Sequence, residues 1–219
     1  MKQRSFLLGC LILTCSMAQA VVIDDFSISM PRVSQSTVGG SFFVQSPFDA
    51  NFDSRDLTTW VDATGDTGAR ATAKLGSGVG SFSTDAEVDG HFSLSYSNPP
   101  GQGKDYTATK ALKLNFLYLD RDMTIKTYAE STKSGVGTKT GTETLNIAPS
   151  ATPFSVTFQN FSTVIDWDSV TIFTFSMDPI QGGDFQLSSI EAVSAAVPEP
   201  SSLAALAMGG LVLLKRRKR

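Results

Sequence analysis

The side chains best suited to catalysis in this sequence are one histidine and scattered carboxylates. His91 is the only histidine, so a Ser-His-Asp triad is possible only around it, and the sequence has no Gly-x-Ser-x-Gly elbow followed by a helix. A glycosidase needs two carboxyl groups that face each other across a cleft, and no spacing here predicts such a pair. We therefore expect a protein that is not an enzyme.

Aspartates occur in three groups that could offer oxygen ligands to a hard cation. The groups are Asp49, Asp53 and Asp56, then Asp120 and Asp122, then Asp166 and Asp168. The first group lacks the glycine and the closing glutamate of an EF-hand loop. Both cysteines lie within residues 1–20, which we expect to be removed. The one histidine that remains is too few for a zinc or other soft-metal site. The sequence predicts no cofactor, and it leaves a structural calcium ion open beside solvated acidic loops.

Five aromatic residues could form a platform for sugar rings, or could simply pack in the core. They are Trp60, Trp167, Tyr96, Tyr106 and Tyr128. A glycine-rich stretch at residues 76–80 precedes a strand-like segment and no Gly-Lys-Ser/Thr follows it. This pattern predicts a hairpin and not a phosphate-binding loop.

The elements that would position these residues are all strands. Apolar and polar residues alternate with period two through residues 112–118, 154–158 and 170–175. Proline and glycine clusters at residues 98–101, 134–137, 149–153 and 181–184 predict the loops between strands. In the alternating runs, one face carries Leu112, Leu114, Phe116 and Tyr118, and Val170 and Ile172 lie opposite Phe173 and Phe175. The pattern favours an all-β antiparallel two-sheet sandwich.

Charge limits the partners of this sandwich. Residues 21–197 contain 20 Asp and Glu against 11 Lys and Arg, a net charge of −9. Nucleic acid requires a basic face, so we expect no nucleic-acid partner. An acidic body rich in Ser and Thr suits solubility outside the cell, or the binding of cations and neutral polymers.

Residues 1–20 have the pattern of a secretory signal peptide. Lys2 and Arg4 form a basic start, an apolar stretch follows, and Ala18 and Ala20 frame a small-x-small cleavage site. Cleavage by signal peptidase after Ala20 would leave Val21 as the new N-terminus and would remove both cysteines. An uncleaved anchor and a lipoprotein signal at Cys10 are the alternatives.

Residues 197–219 form a tripartite C-terminal signal. Pro198, Glu199 and Pro200 are followed by an apolar stretch at residues 201–214, which predicts a short membrane-spanning helix. A basic tail would keep the C-terminus in the cytoplasm, and it consists of Lys215, Arg216, Arg217, Lys218 and Arg219. Residues 198–214 extend roughly 25 Å as a helix, against a hydrocarbon core of about 30 Å. We expect weak or temporary anchoring in the inner membrane.

This order of motif, helix and basic tail resembles the PEP-CTERM sorting signal of Gram-negative bacteria that make extracellular polysaccharide. The resemblance implies that an exosortase recognises Pro198, Glu199 and Pro200 and removes the helix and tail. The chain would then be a substrate after passage through the secretion machinery. A plain C-terminal membrane anchor with a proline stem is the alternative.

The body, residues 21–196, is similar to jelly-roll sandwiches of galactose-binding-like domains and carbohydrate-binding modules. The similarity rests on residues 22–26 at its start and on residues 165–172 and 183–193 near its end. It implies a jelly-roll sandwich between the two terminal signals. We expect a non-enzymatic surface or matrix protein associated with extracellular polysaccharide and biofilm. A carbohydrate-binding module for an extracellular glycan is the alternative, and a polysaccharide-active enzyme is the third hypothesis.

Overall fold

Thirteen β-strands and no helix are found in the part of the chain that the computed structural model describes, which is residues 20–49, 51–65, 68–160 and 164–194. No helix within these ranges is long and apolar enough to cross a membrane. The predicted sorting segment at residues 197–219 and residues 1–19 of the predicted signal peptide lie outside the described residues. Sequence comparison tests the sorting segment, and the signal peptide stays a prediction.

The strands form two antiparallel sheets that pack face to face. The first sheet contains seven strands: β1 (Ala20–Asp24), β2 (Val33–Gln35), β5 (Ala71–Gly76), β6 (Val79–Thr84), β8 (Lys110–Leu119), β11 (Phe154–Phe158) and β13 (Phe185–Ser194). The second contains six: β3 (Gly39–Gln45), β4 (Ser54–Thr64), β7 (Val88–Ser97), β9 (Met123–Lys133), β10 (Gly137–Ile147) and β12 (Val170–Pro179). The predicted all-β antiparallel sandwich is confirmed.

Strand order brings the first and last strands together. The first sheet has the order β11-β8-β13-β6-β5-β2, and β1 pairs with β13 on the edge that β6 also uses. The second sheet has the order β10-β9-β12-β7-β4-β3. Within β1 and β13, Ala20 is opposite Val193 and Val22 is opposite Glu191. The first and last described strands are therefore neighbours in the same sheet.

One hydrophobic core fills the space between the sheets. Phenylalanine supplies much of it, because every second residue of each central strand faces inward. As predicted, Leu112, Leu114 and Phe116 point into this core, and so do Phe173 and Phe175. The hairpin at residues 76–80 is also confirmed, with Ser77 and Gly78 both at positive φ, as a tight I′-type turn requires.

Two predicted alternations are each wrong at one residue, because a β-bulge interrupts the strand. In β8 the register shifts after Phe116, so Tyr118 turns away from the core and Leu119 enters it. In β12 the register shifts between Val170 and Ile172, so Val170 lies in the core on the same face as Phe173. A bulge adds one residue to one strand and inverts the inward and outward positions beyond it.

A fully buried arginine ties the two sheets together. Arg55 on β4 donates from Nη1 to Asp24 Oδ2 at the end of β1, at 2.6 Å. Tyr96 on β7 donates its hydroxyl to the same oxygen at 2.7 Å, and the Phe26 N–H donates to Asp24 Oδ1. Burial raises the pKa of Asp24, while Arg55 and the hydrogen bonds from Tyr96 and Phe26 oppose that shift. Three strands from two sheets thus converge on one carboxylate.

The remaining contacts of the Arg55 guanidinium fix the loops around it. Nη2 donates to the Ile28 carbonyl at 2.6 Å and to Gln45 Oε1 at 2.7 Å. The Phe48 ring lies over the guanidinium, with Cζ 4.4 Å from the ring centroid. Breaking this buried ion pair is costly, because removing one ion leaves the charge of the other uncompensated in the core.

We expect Asp24→Asn to lower the free energy of unfolding by about 3–5 kcal/mol, because it leaves the Arg55 charge unpaired in the core. Urea unfolding of the full chain in detergent measures the effect. The matched control is Asp25→Asn, at the exposed neighbouring carboxylate that accepts the Ser27 N–H. An equal loss in both variants would show that the buried pair has no special role.

Candidate functional site

The outward-facing side of the second sheet carries the candidate site, and we call it the outer face. Inward-facing Arg55 and Leu57 on β4 force Asp56, Thr58 and Trp60 outward. Two rows of side chains cross the six strands at this level. They are Phe42, Thr58, Ser93, Ser176, Lys126 and Thr144, and beside them Val44, Asp56, Ser95, Thr174, Tyr128 and Thr142.

The centre of the outer face is made of short polar side chains. Ser93 and Ser95 on β7 are opposite Ser176 and Thr174 on β12, and the Ser95 and Thr174 hydroxyls lie 2.9 Å apart. Larger side chains stand on both sides, with Trp60 toward one edge and Tyr128 toward the other. A flat polar strip flanked by aromatic rings can accept an extended ligand with many hydroxyl groups.

Trp60 is held as a flat aromatic platform. Its indole is 41% exposed and stacks on the His91 ring, with centroids 5.8 Å apart and planes 14° apart. A Cβ placed on Gly40 would lie 2.7 Å from the indole, so only glycine lets the ring lie across β3. His91 Nδ1 is 2.7 Å from Asp62 Oδ2, and this contact fixes the imidazole.

Acidic groups surround this platform. Burial raises the pKa of Asp56, whose Oδ1 is buried without a hydrogen-bond partner in the described part of the chain. Burial also raises the pKa of Asp178, where His91 opposes the shift and the Asp89 and Asp62 carboxylates add to it. The outer face therefore has partly buried carboxyl groups around Trp60.

A cleft of about 370 Å³ lies at the far end of the outer face. Asp53, Asn98 and Glu130 contribute polar groups to its wall. Tyr128 donates its hydroxyl to Glu130 Oε2 at 2.7 Å. Burial, that hydrogen bond and the Glu130 charge raise the pKa of Tyr128 to about 12. The Tyr128 ring is thus held in place by a carboxylate of the cleft.

The structure divides the five predicted aromatic candidates into two groups. Trp60 and Tyr128 lie on the outer face, whereas Tyr96, Tyr106 and Trp167 are buried in the core. Sequence reasoning missed Phe42 and Val44, which are 74% and 48% exposed on the edge strand β3. For Trp60 the sequence did contain a signal, because the alternation in residues 54–62 places it on the same face as the polar residues.

The three aspartate groups have separate surroundings. Asp49 Oδ1 accepts the Asn51 and Phe52 N–H groups, and the Asp120 carboxylate accepts the Asp184 N–H. Ion pairs occupy the third group, with Asp166 bound to Lys139 and Asp168 bound to Lys133. No three His, Cys, Asp or Glu in the described ranges are grouped to hold a metal ion. A structural calcium ion stays a prediction.

Comparison with known families bears on the C-terminal segment. Residues 196–219 match the family model of the PEP-CTERM protein-sorting motif. The chain carries a PEP-CTERM sorting motif. The match includes Pro198, Glu199, Pro200 and the basic tail, and it begins one residue before the predicted segment. This motif indicates export and membrane-anchored sorting before cleavage, with an exosortase as the processing enzyme.

Similar solved structures are β-sandwich carbohydrate-binding modules. A family 11 module from Clostridium thermocellum, in complex with a β-1,3-1,4-mixed-linked tetrasaccharide, has 16% identity and a TM-score of 0.42, covering 80% of this chain and 96% of its own. The family 11 module of the cellulase Lic26A-Cel5E from the same organism has 18% identity and a TM-score of 0.40, covering 83% and 98%. A mutant of a family 29 carbohydrate-binding module has 14% identity and a TM-score of 0.37, covering 77% and 97%. No curated protein sequence matches the chain.

We expect Asp56→Asn to stabilise the protein at neutral pH. An acid whose folded pKa is raised favours folding below its unfolded pKa and loses that contribution as pH rises through the folded value. The gain should therefore be present at pH 7 and disappear below about pH 3.8, and thermal melts across this range measure it. Asp53→Asn, at an exposed carboxyl, is the control. A gain that is the same at every pH would contradict the assignment.

Proposed function

We propose that this chain is a non-enzymatic protein of the cell surface or extracellular matrix, delivered there by exosortase sorting. The sorting motif at residues 196–219 is the observation that carries the proposal. In this proposal a signal peptidase cleaves after Ala20, the segment at residues 201–214 holds the chain in the inner membrane, and the exosortase acts at Pro198 to Pro200. The sandwich is then released into, or attached to, extracellular polysaccharide and contributes to biofilm structure.

The position of the motif supports this proposal. The last strand, β13, ends at Ser194, and the motif begins at residue 196. The described sandwich therefore ends before the motif, and processing at the motif would remove none of its strands. The net charge of −9 in residues 21–197 also suits a protein that stays soluble among polymers outside the cell.

Glycan binding by the outer face is the second candidate function. Trp60 offers an exposed ring stacked on His91, and the polar strip beside it offers hydroxyl groups from Ser93, Ser95 and Thr174. Sugar rings combine apolar C–H faces with hydroxyl groups, so such a surface can contact both. The acidic groups on this face oppose a polyanion. The proposed ligand is a neutral polysaccharide.

The first test is intact-mass analysis of the chain recovered from its native host, with and without the exosortase. We expect a species that begins at Val21 and has lost residues 201–219, and we expect Glu199→Ala to retain them. Glu87→Ala, at an exposed glutamate outside the motif, is the control and should be processed normally. Retention of Lys215 to Arg219 in the unmodified chain would identify a plain tail anchor and would refute exosortase processing.

The second test is a binding titration against neutral and anionic polysaccharides. We expect saturable binding to a neutral glycan and a roughly tenfold or greater loss of affinity in Trp60→Ala, because a central aromatic contact is worth over ~1 kcal/mol. Val136→Ala, at another exposed apolar side chain on the β9–β10 turn, is the control. Equal affinity in both variants, or no binding to any glycan, would leave the structural role alone.

A further inference from the structure

The edge strand β3 differs from the other sheet edges in the described chain. An edge strand directs unpaired N–H and C=O groups outward, and proteins usually protect it by shortness, charge, proline or a bulge. β2 has 3 residues, and β1 and β11 have 5 each. β10 has 11 residues and carries Lys139 and Glu143. β3 has 7 residues, no charge and no proline.

The side chains of β3 are also unusually apolar for an exposed strand. Phe42 is 74% exposed, Val44 is 48% exposed and Phe43 is 36% exposed, and Val38 just before the strand is 67% exposed. Scattered apolar residues are common on surfaces, but four within seven positions make this unprotected edge apolar on both of its faces. Such an edge is suited to pairing with another strand.

We propose that β3 pairs in antiparallel fashion with β3 of a second copy of this chain, about a two-fold axis at Phe42. The two six-stranded sheets would then join into one continuous twelve-stranded sheet. Pairing centred on Phe42 is the register in which all seven residues, Gly39 to Gln45, find a partner. Because each copy uses its own β3, the assembly closes at two copies.

Side-chain sizes fit this register. Phe42 would be opposite Phe42 of the second copy, and aromatic pairs across an antiparallel ladder are favourable. Val44 would be opposite Gly40 of the second copy. Gly40 has no side chain, and the Trp60 indole occupies the space that its Cβ would take. A branched apolar side chain would thus meet a glycine covered by an aromatic ring.

The absence of charge makes β3 the long edge at which two copies can meet. The body carries −9, so two copies repel each other over most of their surfaces. β3 is uncharged along its whole length, so this edge can meet itself without placing like charges opposite each other. β10, the other long edge, would bring Lys139 and Glu143 into any seam.

Disulfide trapping tests this pairing in the full chain, with Cys10 and Cys15 replaced by serine so that the introduced residue is the only cysteine. We expect Phe42→Cys to form a covalent dimer in air, because opposed residues in an antiparallel pair have Cα atoms about 4.5–5.5 Å apart, within the range of a disulfide. Thr142→Cys, outward-facing and exposed on the edge strand β10, is the matched control and should remain largely monomeric.

A second variant keeps the test independent of cysteine chemistry. Phe42→Lys places two like charges at the proposed axis and should convert a two-copy species into a single-copy species in light scattering, while the far-UV circular dichroism spectrum stays that of the folded sandwich. Equal cross-linking of Phe42→Cys and Thr142→Cys would indicate random collision and overturn the proposal. A single-copy unmodified chain, or a Phe42→Cys adduct with a different protein, would overturn it as well.

Discussion

The buried contact between Arg55 and Asp24 is the constraint on which the rest of the sandwich depends. Asp24 ends a strand of the first sheet and Arg55 lies on a strand of the second, and Tyr96 reaches the same carboxylate from a third strand. The charged guanidinium is tolerated in the core because the Asp24 carboxylate neutralises it and two further oxygens accept its hydrogen bonds. The contact therefore fixes the relative position of the two sheets at the C-terminal end of β1.

The same contact determines which side chains reach solvent. With Arg55 directed inward, the alternation along β4 must direct Asp56, Thr58 and Trp60 outward. A slip of one residue would exchange the two sets and bury the indole. The aromatic platform is thus a consequence of a buried ion pair whose guanidinium lies on the opposite face of the same strand.

Much of this architecture could be predicted from the sequence, because strand alternation and turn residues are local signals. The bulges in β8 and β12 could not, since an extra residue is visible only when two strands are paired, and the alternation alone assigns Tyr118 and Val170 to the wrong faces for this reason. The role of Arg55 was equally hidden, because its partner Asp24 lies 31 residues away. The terminal signals could be predicted without knowledge of the fold, because each is a linear sequence pattern. Among the aromatic candidates, Trp60 had a local signal in the alternation of residues 54–62, and the other four could be sorted only by burial.

The placement of β13 has a mechanical consequence. This strand lies inside the first sheet, with β8 on one edge and β6 and β1 on the other, and the sorting motif follows directly after it. In a chain held at its C-terminal end, tension enters along the axis of β13, perpendicular to its hydrogen bonds. Those bonds are then loaded together in shear and are not peeled apart one at a time. While the C-terminal segment anchors the chain, an attachment point on an interior strand would resist drag that would peel off a terminal hairpin.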